Sequence, residues 1–185
     1  MTPTLPFDAG AQPWLRAAAH GVAWLESQLN GTGRLPAELH DLGSYYKWPL
    51  ALATLGRLDL AKQLFDTLID SFLTADGDFR TSAEKSADPL YGQIADTYTN
   101  TWPLVAAHVL ERPDVGEAGL ECLRRRHVVE TGGYLTGALG QHDDRRQDIV
   151  TIAGCGNALL AWGHLDEATT AGDALLSVLG QQGPV

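Results

Sequence analysis

The feature that most constrains the fold is a sequence pattern that returns along the chain about every 54 residues. The dipeptide Trp-Pro at positions 48–49 recurs at positions 102–103, 54 residues later. The tetrapeptide Gly-Arg-Leu-Asp at positions 56–59 recurs as Gly-His-Leu-Asp at positions 163–166, 107 residues later and therefore about two periods away. A repeat of this kind indicates a chain built from copies of one supersecondary unit.

Each copy predicts a helical hairpin with an inner and an outer helix. After Trp48, residues 50–55 are almost all apolar, which is typical of a helix that is buried on every side. Residues 60–72 instead carry apolar side chains three and four positions apart, which predicts an amphipathic outer helix with one solvent-exposed face. Asp59 and Asp166 stand where the N-cap of an outer helix is expected.

The sequence therefore predicts an all-α fold of antiparallel helical hairpins, with about seven helices in a single domain over residues 1–185. Residues 1–43 are expected to form an N-terminal helix and a loop. Three hairpin repeats are expected to follow, at residues 44–79, 99–134 and 151–185. No stretch alternates apolar and polar residues convincingly, so a sheet is not expected.

Charge and composition exclude several classes of partner. The chain carries 13 basic and 23 acidic residues, a net charge of −10, which repels phosphate backbones and anionic lipid surfaces. We therefore expect no nucleic-acid partner and no membrane partner. No apolar run reaches the roughly 18 residues that span a bilayer, and the N-terminus lacks a signal-peptide pattern. Two cysteines without a disulfide framework fit a reducing compartment, so a cytoplasmic location is predicted.

Four segments carry a resemblance to known enzymes. They are the turns at residues 77–79 and 132–134 and the segments that lead into two inner helices, at 96–102 and 148–155. Inner and outer helices that alternate in this way, with a long loop before each inner helix, resemble the α/α-toroid enzymes. The closer likeness is to the repeats of terpenoid cyclases and protein prenyltransferases, and the six-hairpin glycosidases and epimerases share the architecture. The resemblance implies a toroid over residues 44–185 and leaves the reaction open, because one fold hosts many chemistries.

The chain also departs from these families. It lacks the Asp-x-Asp-Asp motif of class II terpenoid cyclases, and no Asp-x-Cys with a later His supports the zinc site of the prenyltransferases. We therefore expect neither a metal nor a cofactor. A closed toroid has six hairpins, so the chain is expected either to complete a ring as a homodimer or to be a fragment of a longer protein. Both alternatives predict a large apolar edge.

Each inner helix is preceded by an aspartate, and the three aspartates follow the repeat. Asp41, Asp96 and Asp148 are 55 and 52 positions apart, so in a toroid they would converge on one rim of the cavity. Carboxylates held close together push each other's pKa values apart, which suits one acid and one base. An aspartate in this position also caps a helix, and both interpretations stay open. Tyr45 is a further candidate proton donor, which gives four candidate catalytic residues.

Further candidates on the same predicted rim are assigned to substrate binding: Tyr46, Trp48, Tyr98, Asn100, Trp102, Arg146 and Cys155. Aromatic faces stack on rings or stabilise cations, including carbocations, although the repeated Trp-Pro also fits core packing. Arginine can clamp an anionic group. Cys155 would need a nearby base to act as a nucleophile, and it otherwise behaves as a small buried hydrophobe.

The sequence favours an enzyme. The leading hypothesis is a metal-free acid–base enzyme of the cyclase or isomerase type, which acts on a small apolar or ring-shaped substrate in the toroid cavity. The same carboxylates would also suit a sugar hydrolase, lyase or epimerase. A third hypothesis is a non-catalytic helical-repeat module whose apolar face binds a protein partner.

Overall fold

The computed structural model describes residues 12–30, 33–36, 41–80, 96–137 and 146–181. The chain divides into two compact units, Met1–His40 and Asp41–Val185. In the first unit, the described helix is α1 (Gln12–Gln28). Val22 and Leu25 are buried on it, whereas Trp14 and Trp24 are exposed. The three-residue spacing of Val22 and Leu25 places both on one face of the helix.

The second unit contains three helical hairpins preceded by the short helix α2 (Leu42–Tyr45). The hairpins are α3 (Trp48–Thr54) with α4 (Leu58–Phe72), α5 (Tyr98–Val109) with α6 (Pro113–Arg124), and α7 (Ile149–Ala161) with α8 (Leu165–Gln181). The inner helices contact one another in chain order, α3 with α5 and α5 with α7, and each also contacts the outer helix that follows it. The described residues are mostly helical, which confirms this part of the prediction. The seven predicted helices correspond to α1 and to α3 through α8.

The inner helices end in the same turn in all three hairpins. One residue in each turn adopts the left-handed conformation: Gly56 with φ 75°, Glu111 with φ 58° and Gly163 with φ 79°. The amide of the next residue donates a hydrogen bond to the carbonyl five positions back, from Arg57 to Leu52, from Arg112 to Ala107 and from His164 to Leu159. These are Schellman C-caps, in which glycine avoids the steric cost of the left-handed conformation. The turn therefore follows the sequence repeat, and Glu111 is the position at which the second copy departs from glycine.

The outer helices begin two residues earlier than the sequence suggests. Asp59 and Asp166 lie in the first turn of α4 and α8 and are not the N-caps that the pattern predicted. Their negative charges still lie at the positive end of the helix dipole, which explains why the pattern favours aspartate there.

A small antiparallel hairpin follows α6. Its strands are β1 (His127–Val128) and β2 (Gly133–Tyr134), and a single bridge between Leu73 and Phe79 stands at the equivalent place after α4. Strands of two residues are too short to show alternation in the sequence, which is why this hairpin was not expected. The core between the second and third hairpins contains Leu104, Leu123, Tyr134, Ile152, Cys155 and Leu159.

A buried ion pair joins the first hairpin to the second. The Arg126 Nη2 atom lies 2.9 Å from Asp78 Oδ2, and the side chains are 2% and 0% exposed. Asn100 Nδ2 donates to Asp78 Oδ1 at 2.6 Å, and Arg80 Nε donates to Asp78 Oδ2 at 2.8 Å. Arg126 Nη1 donates to the hydroxyl of Thr97 at 3.0 Å. These bonds connect the turn after α4, the end of α6 and the start of α5.

Replacing Glu111 with glycine is expected to raise the free energy of unfolding by about 1 kcal/mol, because the left-handed conformation strains a residue with a Cβ atom. Urea denaturation checks the change. The matched control is Glu117→Gly, in the exposed middle of α6, which should lower stability by about 1 kcal/mol. A Glu111→Gly variant that is less stable than the parent would show that the left-handed conformation does not strain residue 111.

Asp78→Ala is expected to lower the free energy of unfolding by about 3–5 kcal/mol, because it leaves the Arg126 guanidinium buried without its carboxylate. Chemical denaturation followed by circular dichroism measures the loss. Asp66→Ala is the control, since it breaks an exposed pair with Arg112 and should cost far less. Equal losses in the two variants would show that the buried pair contributes no more to the free energy of unfolding than the exposed pair.

Candidate functional site

An apolar groove lies along the first halves of the inner helices α5 and α7. Its volume is about 530 Å³. The residues that line it come from α3, α5, α7 and α8: Leu50, Tyr98, Thr101, Trp102, Val105, Ile149, Val150, Ala153, Gly154, Asn157, Leu175 and Leu179. Most of this lining is apolar, and the polar side chains are those of Tyr98, Thr101 and Asn157. A concave apolar surface with few polar groups is typical of a small-molecule site.

The close approach of α5 and α7 shapes the floor of the groove. Gly154 on α7 faces the side chains of Tyr98 and Thr101 on α5, and a Cβ atom there would lie only 2.8 Å from the Thr101 hydroxyl. Glycine at this position therefore lets the two inner helices come together. The Thr101 hydroxyl is already bonded, since it donates to the carbonyl of Tyr98 at 2.8 Å.

Three aromatic rings stand at one edge of the groove. Tyr98 and Trp102 are four residues apart, so they lie on the same face of α5, and their ring centroids are 6.4 Å apart in an edge-on arrangement. Tyr46 makes a similar contact with Tyr98 at 6.3 Å. The Lys47 Nζ atom lies 5.0 Å from the Trp102 ring centroid, 5.2 Å from that of Tyr46 and 5.8 Å from that of Tyr98. This is the geometry of a cation–π interaction.

The Lys47 amine is protonated at neutral pH. Partial burial lowers the pKa of Lys47, but hydrogen bonding and charge interaction with Tyr46 and Tyr98 raise it, and the resulting pKa lies above its ordinary value. A positive charge is therefore held at the groove edge.

Two of the candidate catalytic aspartates cap helices. Asp41 accepts a hydrogen bond from the Ser44 amide at 2.9 Å at the start of α2. Asp148 accepts from the Thr151 amide at 2.7 Å at the start of α7, and its other oxygen accepts from the hydroxyls of Thr136 at 2.9 Å and Thr151 at 3.1 Å. The capping interpretation therefore holds for both residues. A catalytic role in addition stays a prediction.

The other two candidate catalytic residues lie inside the fold. Asp96 is 6% exposed in the turn before α5, where its backbone carbonyl accepts a hydrogen bond from Thr99. Tyr45 is fully buried, and its ring centroid lies 5.5 Å from that of Phe72. None of the four candidate catalytic residues lines the groove. Their acid–base roles stay predictions.

The candidate substrate-binding residues fall into two groups. Tyr98 and Trp102 line the groove, and Tyr46 contacts the Tyr98 ring at its edge. The signal that identified these three in the sequence was their place on one predicted rim, where the segments that lead into two inner helices carry aromatic residues.

The remaining candidates lie elsewhere. Asn100 belongs to the buried network around Asp78, and Cys155 is fully buried in α7, where burial raises the pKa of its thiol. Trp48 is half-buried at the start of α3, and Arg146 is exposed just before α7. None of these four residues lines the groove, and their contacts with a substrate stay predictions.

Sequence reasoning missed the aliphatic part of the groove. Ile149 and Val150 are 45% and 50% exposed at the start of α7, and Leu179 near the end of α8 is 54% exposed. The all-apolar pattern of α7 predicts burial for Ile149 and Val150, and Leu179 belongs to the apolar face expected for the outer helix α8. Only the position of the neighbouring helices separates the residues that pack in the core from those that line the groove.

No family model, curated protein or solved structure matches the chain. Within the described ranges, no three His, Cys, Asp or Glu side chains are grouped so that they could hold a metal ion. No helix in the same ranges is long and apolar enough to cross a membrane.

Asp148→Ala is expected to lower the free energy of unfolding by about 1–2 kcal/mol, because it removes the N-cap of α7. Asp148→Asn should retain most of the stability, since asparagine caps equally well. Asp70→Ala, at an exposed position within α4, is the control and should change stability little. Thermal and urea denaturation measure all three variants. A stable Asp148→Ala variant would show that this carboxylate is not needed as a cap.

Proposed function

We propose that the chain binds a small apolar, ring-containing molecule in the groove between the inner helices. The observation that carries this proposal is a concave apolar surface with three aromatic rings at its edge. A ligand there would cover the exposed parts of Ile149, Val150 and Leu179, and burial of apolar surface contributes about 25 cal/mol per Å². The proposal retains the substrate class of the cyclase or isomerase hypothesis.

The lining favours an apolar ligand over a sugar. A sugar presents several hydroxyl groups, each of which needs a hydrogen-bond partner when it leaves water. The groove offers few such partners, because most of its lining side chains are aliphatic or aromatic. A sugar hydrolase, lyase or epimerase is therefore the weaker candidate. A side chain of a protein partner could also occupy an apolar groove, as in the hypothesis of a non-catalytic binding module. Binding of a small apolar probe separates the two functions.

Acid–base chemistry of the cyclase or isomerase type is part of the proposal. Among the lining residues, Tyr98 carries the one titratable side chain, so its hydroxyl is the group best placed to donate a proton to a ligand in the groove. The carboxylate that would accept a proton is assigned by the sequence pattern alone, as one of Asp41, Asp96 and Asp148.

We also propose that the three hairpins belong to an α/α-toroid arrangement. Contacts between consecutive inner helices and the recurrence of one turn type in all three hairpins support this proposal. Exposed apolar side chains on the last hairpin support it as well, since Leu160, Leu165 and Leu176 are 57%, 60% and 68% exposed. Completion of a ring by a second copy of the chain stays a prediction.

Binding of a neutral apolar probe tests the proposed groove. N-phenyl-1-naphthylamine, whose fluorescence rises in apolar surroundings, is expected to bind saturably. Val150→Asp should weaken binding about tenfold, because a carboxylate on the groove wall must lose water when the probe binds. Aspartate suits the first turn of α7, so the variant is expected to fold.

Val129→Asp is the matched control, because Val129 is 82% exposed in the β1–β2 turn outside the groove. It should bind the probe as the parent does. Absence of saturable binding, or equal weakening by both substitutions, would overturn the proposed function and favour a protein-binding module.

A further inference from the structure

Lys47 places a positive charge at the edge of the apolar groove. It lies over the rings of Tyr98 and Trp102, and both of these residues also line the groove. Its ammonium is therefore held against the aromatic rings at the edge of the groove.

Among the residues that the structure describes, no acidic side chain forms an ion pair with Lys47. The ion pairs of the described residues involve Arg80, Arg112, Arg124, Arg126 and His164, and none includes Lys47. The groups that interact with its ammonium are the hydroxyls of Tyr46 and Tyr98 and the three rings. The chain has a net charge of −10. Because aromatic rings and not a carboxylate position Lys47, its positive charge is available to an anionic ligand.

We infer that the groove takes an amphiphile with an anionic headgroup, whose apolar body lies along α5 and α7 and whose head contacts Lys47. This inference rests on the proposed function, because it needs the apolar body to occupy the groove. The protein's own ammonium already lies over these rings, so the ring cluster favours an anion beside that ammonium over a cationic ligand. The inference commits to a carboxylate head; a phosphate head has the same charge complementarity.

Competition for the groove tests the inference on the full chain. N-phenyl-1-naphthylamine is bound first and then displaced by laurate or by dodecanol, which share a twelve-carbon chain and differ in the headgroup, at concentrations below micelle formation. Laurate is expected to displace the probe at about a tenfold lower concentration than dodecanol. The overall negative charge of the protein opposes laurate, so a preference for laurate requires a local positive charge.

Lys47→Met keeps an aliphatic stem over the rings and removes the charge, so it should abolish the preference for laurate and leave displacement by dodecanol unchanged. Lys47→Gln should do the same, and Lys47→Arg should retain the preference. Lys62→Gln is the control, since Lys62 is exposed on α4 outside the groove. The preference in the parent should also fall as salt is added, because salt screens exposed charges.

The outcomes separate this inference from the proposed function. Failure of the neutral probe to bind overturns both. Probe binding with equal displacement by laurate and dodecanol in the parent, or with a laurate preference that survives both Lys47→Met and Lys47→Gln, overturns the inference alone. Dodecyl phosphate is the third competitor. Stronger displacement by dodecyl phosphate than by laurate, lost in Lys47→Met, would overturn the carboxylate assignment in favour of a phosphate head.

Discussion

The arrangement of the second unit depends on one buried ion pair, between Asp78 and Arg126. A buried charge is tolerated only with its counter-charge close by, so the pair restricts the positions of the segments that supply it. Those segments are the turn after α4 and the end of α6, and the partners Asn100 and Thr97 add the start of α5. Because Tyr98 follows Thr97 directly, the same network fixes where the aromatic edge of the groove begins. The buried polar network and the aromatic edge of the groove therefore meet at the start of α5.

The fold shows how a repeat can be read from glycines and periodicity. Residues 56 and 163 are glycines because the chain turns there through a left-handed conformation, and the three turns recur at spacings of 55 and 52 residues. Glu111 adopts the same conformation without being glycine, so the second turn does not share the Gly-x-Leu-Asp pattern of the other two. The hydrophobic pattern predicted the helices well, because alternation between buried and exposed faces is local to each helix. Two-residue strands carry no such signal and escaped prediction.

The candidate site was predictable in part. Tyr98 and Trp102 were identified from aromatic residues after a helix start, and both line the groove. The aspartates were located correctly at or just before helix starts, but the same residue type serves as a cap and as a catalytic acid, so sequence could not separate the two roles. The hydrogen bonds show which aspartates are caps: Asp41 and Asp148 each accept a hydrogen bond from a backbone amide of the helix that follows. The sequence pattern assigned Lys47 no role of its own, because its importance lies in the rings that surround it.

The sequence by itself determined the helical hairpins, their period and the turns that join inner to outer helices, because these depend on residues within a few positions of one another. Only the tertiary structure decided which apolar residues line the groove and which pack in the core. It also decided that Lys47 meets the Trp102 ring 55 positions away and that Arg126 meets Asp78 48 positions away. Such contacts depend on the rotation and spacing of packed helices. Those are set by the whole core, and no local pattern records them.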